Sequence, residues 1–193
     1  MVRGVRGRAV LLPGRAYAVS APLLARAGEV LAADGWDVRP VHWDAPAPLP
    51  GSVAPAVAEG FVVRHLREAT ADLPPGRSGE VLVVAKSLGT RAASYAASRS
   101  WSAAWMTPLL TDPSCRAGIA ANRAPQLLVG GAADPYWDRA VAAGLGRAAT
   151  VEVLEVAGAD HGLVLGDAGA TAAALDRAGR TLAAFARRLQ GAS

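Results

Sequence analysis

The sequence predicts an α/β fold with about six mostly parallel strands in one sheet and helices on both of its faces. Three observations predict it. Short apolar runs alternate with longer amphipathic stretches along nearly the whole chain. The strongest run, 80–85 (EVLVVA), is almost unbroken and rich in β-branched residues, the pattern of a strand covered on both faces, as in a parallel sheet. The chain has 193 residues, which fits one domain, 1–193, with a core of its own. A βαβ series with right-handed crossovers places such a sheet between two helix layers.

The elements follow in order. Residues 8–12 (RAVLL) read as a buried strand stopped by Pro13 and Gly14. Residues 20–34 read as a helix, with Ser20 as its cap, Pro22 in its first turn and Gly35 closing it. Residues 36–43 (WDVRPVHW) read as a second strand, and Pro40 puts it at a sheet edge because proline donates no ladder hydrogen bond. A proline-rich loop over 44–51 leads to a helix over 53–70, and a turn-rich connection over 73–79 leads to the strand 80–85. Then come a helix over 89–99, a strand over 102–106 and a short helix over 115–122. A fifth strand over 126–130, a helix over 136–145, a sixth strand over 151–156 and a long helix over 168–190 complete the series.

Composition narrows the function. The formal charge is +4, and 19 of the 20 basic residues are arginine. They are spread along the chain with no run longer than Arg187–Arg188 and no interleaved aromatics, so no nucleic-acid partner is expected. One cysteine, Cys115, excludes an internal disulfide, and three histidines argue against a histidine-rich metal site. No apolar run approaches the roughly 18–20 residues of a membrane span. The apolar stretch 9–12 is too short for a signal peptide, so no membrane partner and a cytoplasmic location are expected. The first turn carries one glycine and bulky Arg15 and Tyr17 where G-x-G-x-x-G would stand, and no P-loop pattern occurs. No cofactor is therefore expected.

The chemical signal is Val84–Ala85–Lys86–Ser87–Leu88–Gly89, which follows the strongest strand and opens a helix. That is the setting of a nucleophile elbow, usually G-x-S-x-G. Ala85 stands in place of the first glycine and Gly89 keeps the second. Such a turn projects the serine hydroxyl above the sheet's carboxyl edge and leaves the Leu88 N–H able to bind an oxyanion. A plain alternative is that Ser87 only caps the following helix. Candidate partners then appear in chain order. Asp134 lies 47 residues after Ser87, just past the fifth strand, and His161 lies 27 residues further, past the sixth. Asp138 and Asp160 are rival acids.

On the Ser87 elbow, the G-x-x-D-P segment ending at Asp134–Pro135 and the G-A-D-H-G segment at 158–162, the chain resembles a compact, lidless α/β hydrolase. It is most similar to dienelactone hydrolases and acyl-protein thioesterases. The resemblance implies Ser87 as nucleophile, His161 as general base and Asp134 as its orienting acid. It implies Leu88 as one oxyanion donor and Arg15 or Ala16 as the other, from the loop after the first strand. That loop here reads Pro13–Gly14–Arg15 where many relatives have His-Gly. Tyr17, Pro108, Leu109 and Trp137 are expected to line the substrate pocket. Only about 19 residues separate Met106 from Gln126, too few for a cap domain. Lys86, the one lysine of the chain, is expected either to brace nearby loops or to attract an anionic substrate group. The expected partner is a small acyl ester or thioester, with a non-catalytic binding protein and a biosynthetic acyl transferase or cyclase as alternatives. Oligomeric state is left open.

Overall fold

The computed structural model describes residues 6–43, 54–73 and 81–189. Strands β1 (Arg8–Leu12), β2 (Asp37–Pro40), β3 (Val81–Lys86), β4 (Ser102–Met106), β5 (Gln126–Gly131) and β6 (Val151–Val156) form one sheet. Its order is β2-β1-β3-β4-β5-β6, and every neighbouring pair is parallel. β1 and β3 are buried at every position, as their apolar runs require of strands covered on both faces. β2 is an edge strand that pairs with β1 alone, where Pro40 leaves no ladder bond unmade.

Helices α1 (Pro22–Ala33) and α6 (Ala168–Arg188) cover one face through Leu23, Leu24, Leu31, Leu182 and Phe185. Helices α2 (Pro55–Ala69), α3 (Ala93–Ser98), α4 (Pro113–Ala121) and α5 (Arg139–Leu145) cover the other through Val62, Leu66, Ala96, Ile119 and Ala142. Residues 107–125, between β4 and β5, hold only α4 and its short connections, with no inserted domain.

Several boundaries differ from the sequence-based expectation. The second strand is Asp37–Pro40 rather than 36–43; Trp36 and Trp43 flank it as buried packing residues. Ser20 does not cap α1. The N-cap is Ala21, and the Tyr17 hydroxyl accepts from the Leu23 N–H at 2.8 Å instead. The expected helix over 89–99 is a 3-10 turn at Ser87–Ala92 followed by α3. α5 begins at Arg139 because Asp138 caps it, and α4 begins at Pro113 because Asp112 accepts from the Ser114 and Cys115 N–H groups. The loop over 44–51, residue 53, residues 74–80 and residue 190 lie outside the described residues.

Candidate active site

Three loops at the carboxyl edge of the sheet converge on one point. β3 ends at Lys86, and the chain turns so sharply into the 3-10 helix that Ser87 stands at φ 49°. A left-handed serine is costly and persists only where its surroundings enforce it. Two neighbours do so. A Cβ on Gly89 would lie 2.9 Å from the Leu12 carbonyl oxygen, so only glycine lets the helix sit this close to β1. Thr90 Oγ1 donates to the Ser87 carbonyl at 2.6 Å and holds the turn from inside. Ala85, in place of the usual glycine, tucks its methyl into the core without exposure.

Ser87 is the first residue of the 3-10 helix rather than its N-cap, which is Lys86. Its Oγ lies 2.8 Å from His161 Nε2, and His161 Nδ1 lies 2.7 Å from Asp134 Oδ2. An ionised carboxylate can only accept, so Nδ1 carries the ring proton. Nε2 of the neutral ring is then the acceptor for the serine hydroxyl. Asp134 is buried, and its other oxygen accepts the Tyr136 N–H at 2.8 Å. The rival acids have other tasks. Asp160 Oδ1 accepts from the Gly162 and Val164 N–H groups at 2.7 and 2.8 Å and braces the histidine loop. Asp138 accepts from the Val141 N–H at the start of α5.

An open cavity of about 570 Å³ surrounds Ser87 and His161. Of the expected lining, Tyr17 and Leu109 face it, together with Lys86 and the expected oxyanion-donor residues Arg15, Ala16 and Leu88. Pro108 and Trp137 do not. Trp137 packs flat over Gly130, where an added Cβ would overlap its ring, and its indole donates to Glu155 at 2.8 Å. Three further residues line the cavity without having been singled out: Arg91, Tyr136 and Gly162. Arg91 lies one turn beyond Ser87, and its guanidinium pairs with Asp112 at 2.6 Å. Tyr136 follows the D-P step, with its ring 4.9 Å from the His161 imidazole.

Lys86 is buried beneath the site. Its Nζ donates to the His161 carbonyl at 3.0 Å and lies 4.5 Å from the centre of the Tyr17 ring. Burial pulls its pKa down to about 8, against the opposing pull of Asp134 and Asp160. The other reactive candidates lie apart. Cys115 is buried, and burial pushes its thiol up to about 11. His42 is exposed two residues past β2, and His65 meets the Trp43 ring edge-on and the Phe61 ring at a tilt. Among the described residues there is no cluster of histidine, cysteine and carboxylates able to hold a metal. Among the same residues no helix is long and apolar enough to cross a membrane.

No family model matches the sequence, and no curated protein does. Solved structures do match. An esterase of Pyrococcus furiosus superposes with a TM-score of 0.71 at 13% identity, over 96% of this chain and 84% of that one. A Butyrivibrio proteoclasticus protein with ferulic acid bound gives 0.70 at 11%, over 97% and 90%. An α/β serine hydrolase homologue from Coxiella burnetii gives 0.67 at 14%, over 93% and 86%. At such identities the likeness is one of fold, and by that measure the chain has the α/β-hydrolase fold.

Proposed function

We propose that the chain is a serine hydrolase that cleaves a carboxylic ester or thioester through an acyl-enzyme. One observation carries this reading: the continuous relay from Ser87 Oγ through the His161 imidazole to buried Asp134, at 2.8 and 2.7 Å, opening on a cavity. A histidine so placed takes the serine proton as Oγ attacks the acyl carbonyl and returns it to the departing alcohol or thiol. Water, deprotonated by the same ring, then releases the acid and restores Ser87. Asp134 holds the tautomer throughout and stabilises the imidazolium.

Oxyanion donors come from two backbones. The Leu88 N–H opens the 3-10 turn directly after the nucleophile, among the first N–H groups of a helical segment, which lack intrahelical acceptors. The second comes from the loop after β1. Trp43 Nε1 donates to the Gly14 carbonyl at 2.9 Å, so the planar trans peptide turns the Arg15 N–H to the opposite face. Ala16 is the alternative donor on the same loop. No step requires a cofactor.

Active-site labelling tests the reading. A fluorophosphonate probe is expected to label the native protein, and Ser87→Ala to abolish labelling with an unchanged circular dichroism spectrum. Hydrolysis of short nitrophenyl esters should fall in parallel. Equal labelling of the two proteins would overturn the assignment.

A further inference from the structure

Lys86 is the one lysine of the chain and is 1% exposed. Among the described residues no carboxylate lies within ion-pair distance of it. An ammonium placed there must recover what it loses on leaving water from the groups around it. Those groups belong to the loops that build the site. From the loop after β6 comes the His161 carbonyl, which accepts from Nζ at 3.0 Å. From the loop after β1 comes the Tyr17 ring, 4.5 Å from Nζ, a cation–π contact in a water-poor setting. The Tyr17 hydroxyl is itself fixed by the Leu23 N–H. The alkyl stem runs beside the same loop, where a Cβ added to Gly14 would lie 3.6 Å from Lys86 Cδ.

We propose that Lys86 is a positioning residue whose charged ammonium ties the histidine loop and the oxyanion loop to the elbow, keeping the His161 ring in line between Asp134 and Ser87. This rests on the serine-hydrolase reading. Charge matters because both contacts weaken when the proton leaves: the hydrogen bond becomes neutral-to-neutral, and the attraction to the Tyr17 ring is lost. The groups that face the ammonium are Tyr17, Asp134, Asp160 and His161. Burial pulls Lys86 down to about 8, while it pushes the Tyr17 phenol above its ordinary value. An alkaline loss of activity near pH 8 would therefore report on Lys86 and not on Tyr17.

The test is kcat and KM against pH for the native protein and Lys86→Met on a soluble nitrophenyl ester. Native kcat is expected to fall as pH rises through about 8. Lys86→Met should lower kcat by about 10-fold or more with a much smaller change in KM, the cost of a misplaced base. It should also lose the alkaline limb. A native profile flat from pH 7 to about 9, a variant with native kcat, or a limb that persists in the variant would each overturn the proposal. A merely structural role would lower activity and leave the limb in place. A second readout needs no turnover: the low-field proton resonance of the His161 Nδ1–H bonded to Asp134, followed in the Ser87→Ala background. It should broaden in the native-Lys86 protein above pH 8 and at all pH values in Lys86→Met. An unchanged resonance overturns the role of Lys86 even if no ester is cleaved, whereas failed labelling of Ser87 removes only the hydrolase reading.

Discussion

Asp134 reaches its place with both carboxylate oxygens occupied, one by the His161 ring and one by the Tyr136 N–H. A buried acid so tied cannot swing to another partner, which is why it orients His161 and Asp160 does not. The sequence points to this pair because acid and base each follow a strand end by a few residues. The sequence placed Lys86 beside Ser87 and left it two roles, bracing loops or attracting an anionic group; its partners come from loops 69 and 75 residues away in the chain, which no local pattern reveals. Trp137 was misread for the same kind of reason. It sits near the site in sequence, but the bare face of Gly130 offers its ring a buried seat. The burial of Lys86 also has a stability consequence whose sign is fixed. Its pKa is about 8 when folded against 10.5 when exposed, so the unfolded chain binds more protons between those values. Stability attributable to this group rises with pH across that window, and below it the buried charge costs about 3 kcal/mol. Lys86→Met is thus expected to raise the melting temperature at pH 7 while lowering activity, with the gain shrinking toward pH 10. Thermal unfolding at a series of pH values measures this, and an equal gain at pH 7 and pH 10 would rule out charge burial as its source.

Strands were more legible than helix ends. β1, β4 and β6 occupy the stretches the sequence predicts because each is a short run with apolar spacing bounded by turn formers. α4, α5 and α6 begin where an aspartate in the adjacent sequence caps them. α1 breaks that rule because the N–H of its second residue, Leu23, donates to a phenol from the preceding loop. The 3-10 turn after Ser87 was invisible for a related reason: its shape is imposed by the close approach to β1. That approach gives an element-scale prediction. Alanine at Gly89 would place a methyl 2.9 Å from both the Leu12 Cβ and its carbonyl oxygen, and 3.1 Å from the Pro13 oxygen. Backbone must move, so Gly89→Ala is expected to cost about 1–3 kcal/mol and to displace the Leu88 N–H. The same change at Gly60, in α2 with nothing within 4 Å of the added atom, should stabilise by about 0.5–1 kcal/mol. Urea unfolding of the two variants should therefore move in opposite directions, and a shared direction would refute the packing argument.

At the scale of the whole molecule, the sheet order explains why the site is where it is. From β1 the chain adds β2 on one side, then crosses back to add β3 on the other. The crevice at the carboxyl ends of β1 and β3 is the point where the order reverses, the place where open α/β sheets bind ligands. Ser87 and the Gly14–Arg15 loop stand on its two sides. Backbone strain gathers along the same edge. Of the four residues other than glycine at positive φ among the described residues, Ser87, Thr107 and Leu163 follow the ends of β3, β4 and β6. Basic groups meet at that edge as well, where Arg15, Lys86 and Arg91 line the cavity. Elsewhere Arg26, Arg39, Arg139, Arg187 and Arg188 pair with carboxylates scattered over the surface, as a dispersed solvated charge does, whereas Arg8 is buried and pairs with Asp37 and Asp72. The segment between β4 and β5, where an inserted cap would have to sit, is taken up by α4 packing against α3. A substrate therefore has no inserted domain to displace before it meets Ser87. If the chain cleaves esters, its rate should rise hyperbolically with soluble short-chain substrates and show no jump as a longer-chain ester passes its micelle concentration. Initial rates across that concentration decide the matter. A sharp increase there would mean that a mobile cover governs access, and that the cavity at the switch point is not the form that binds substrate.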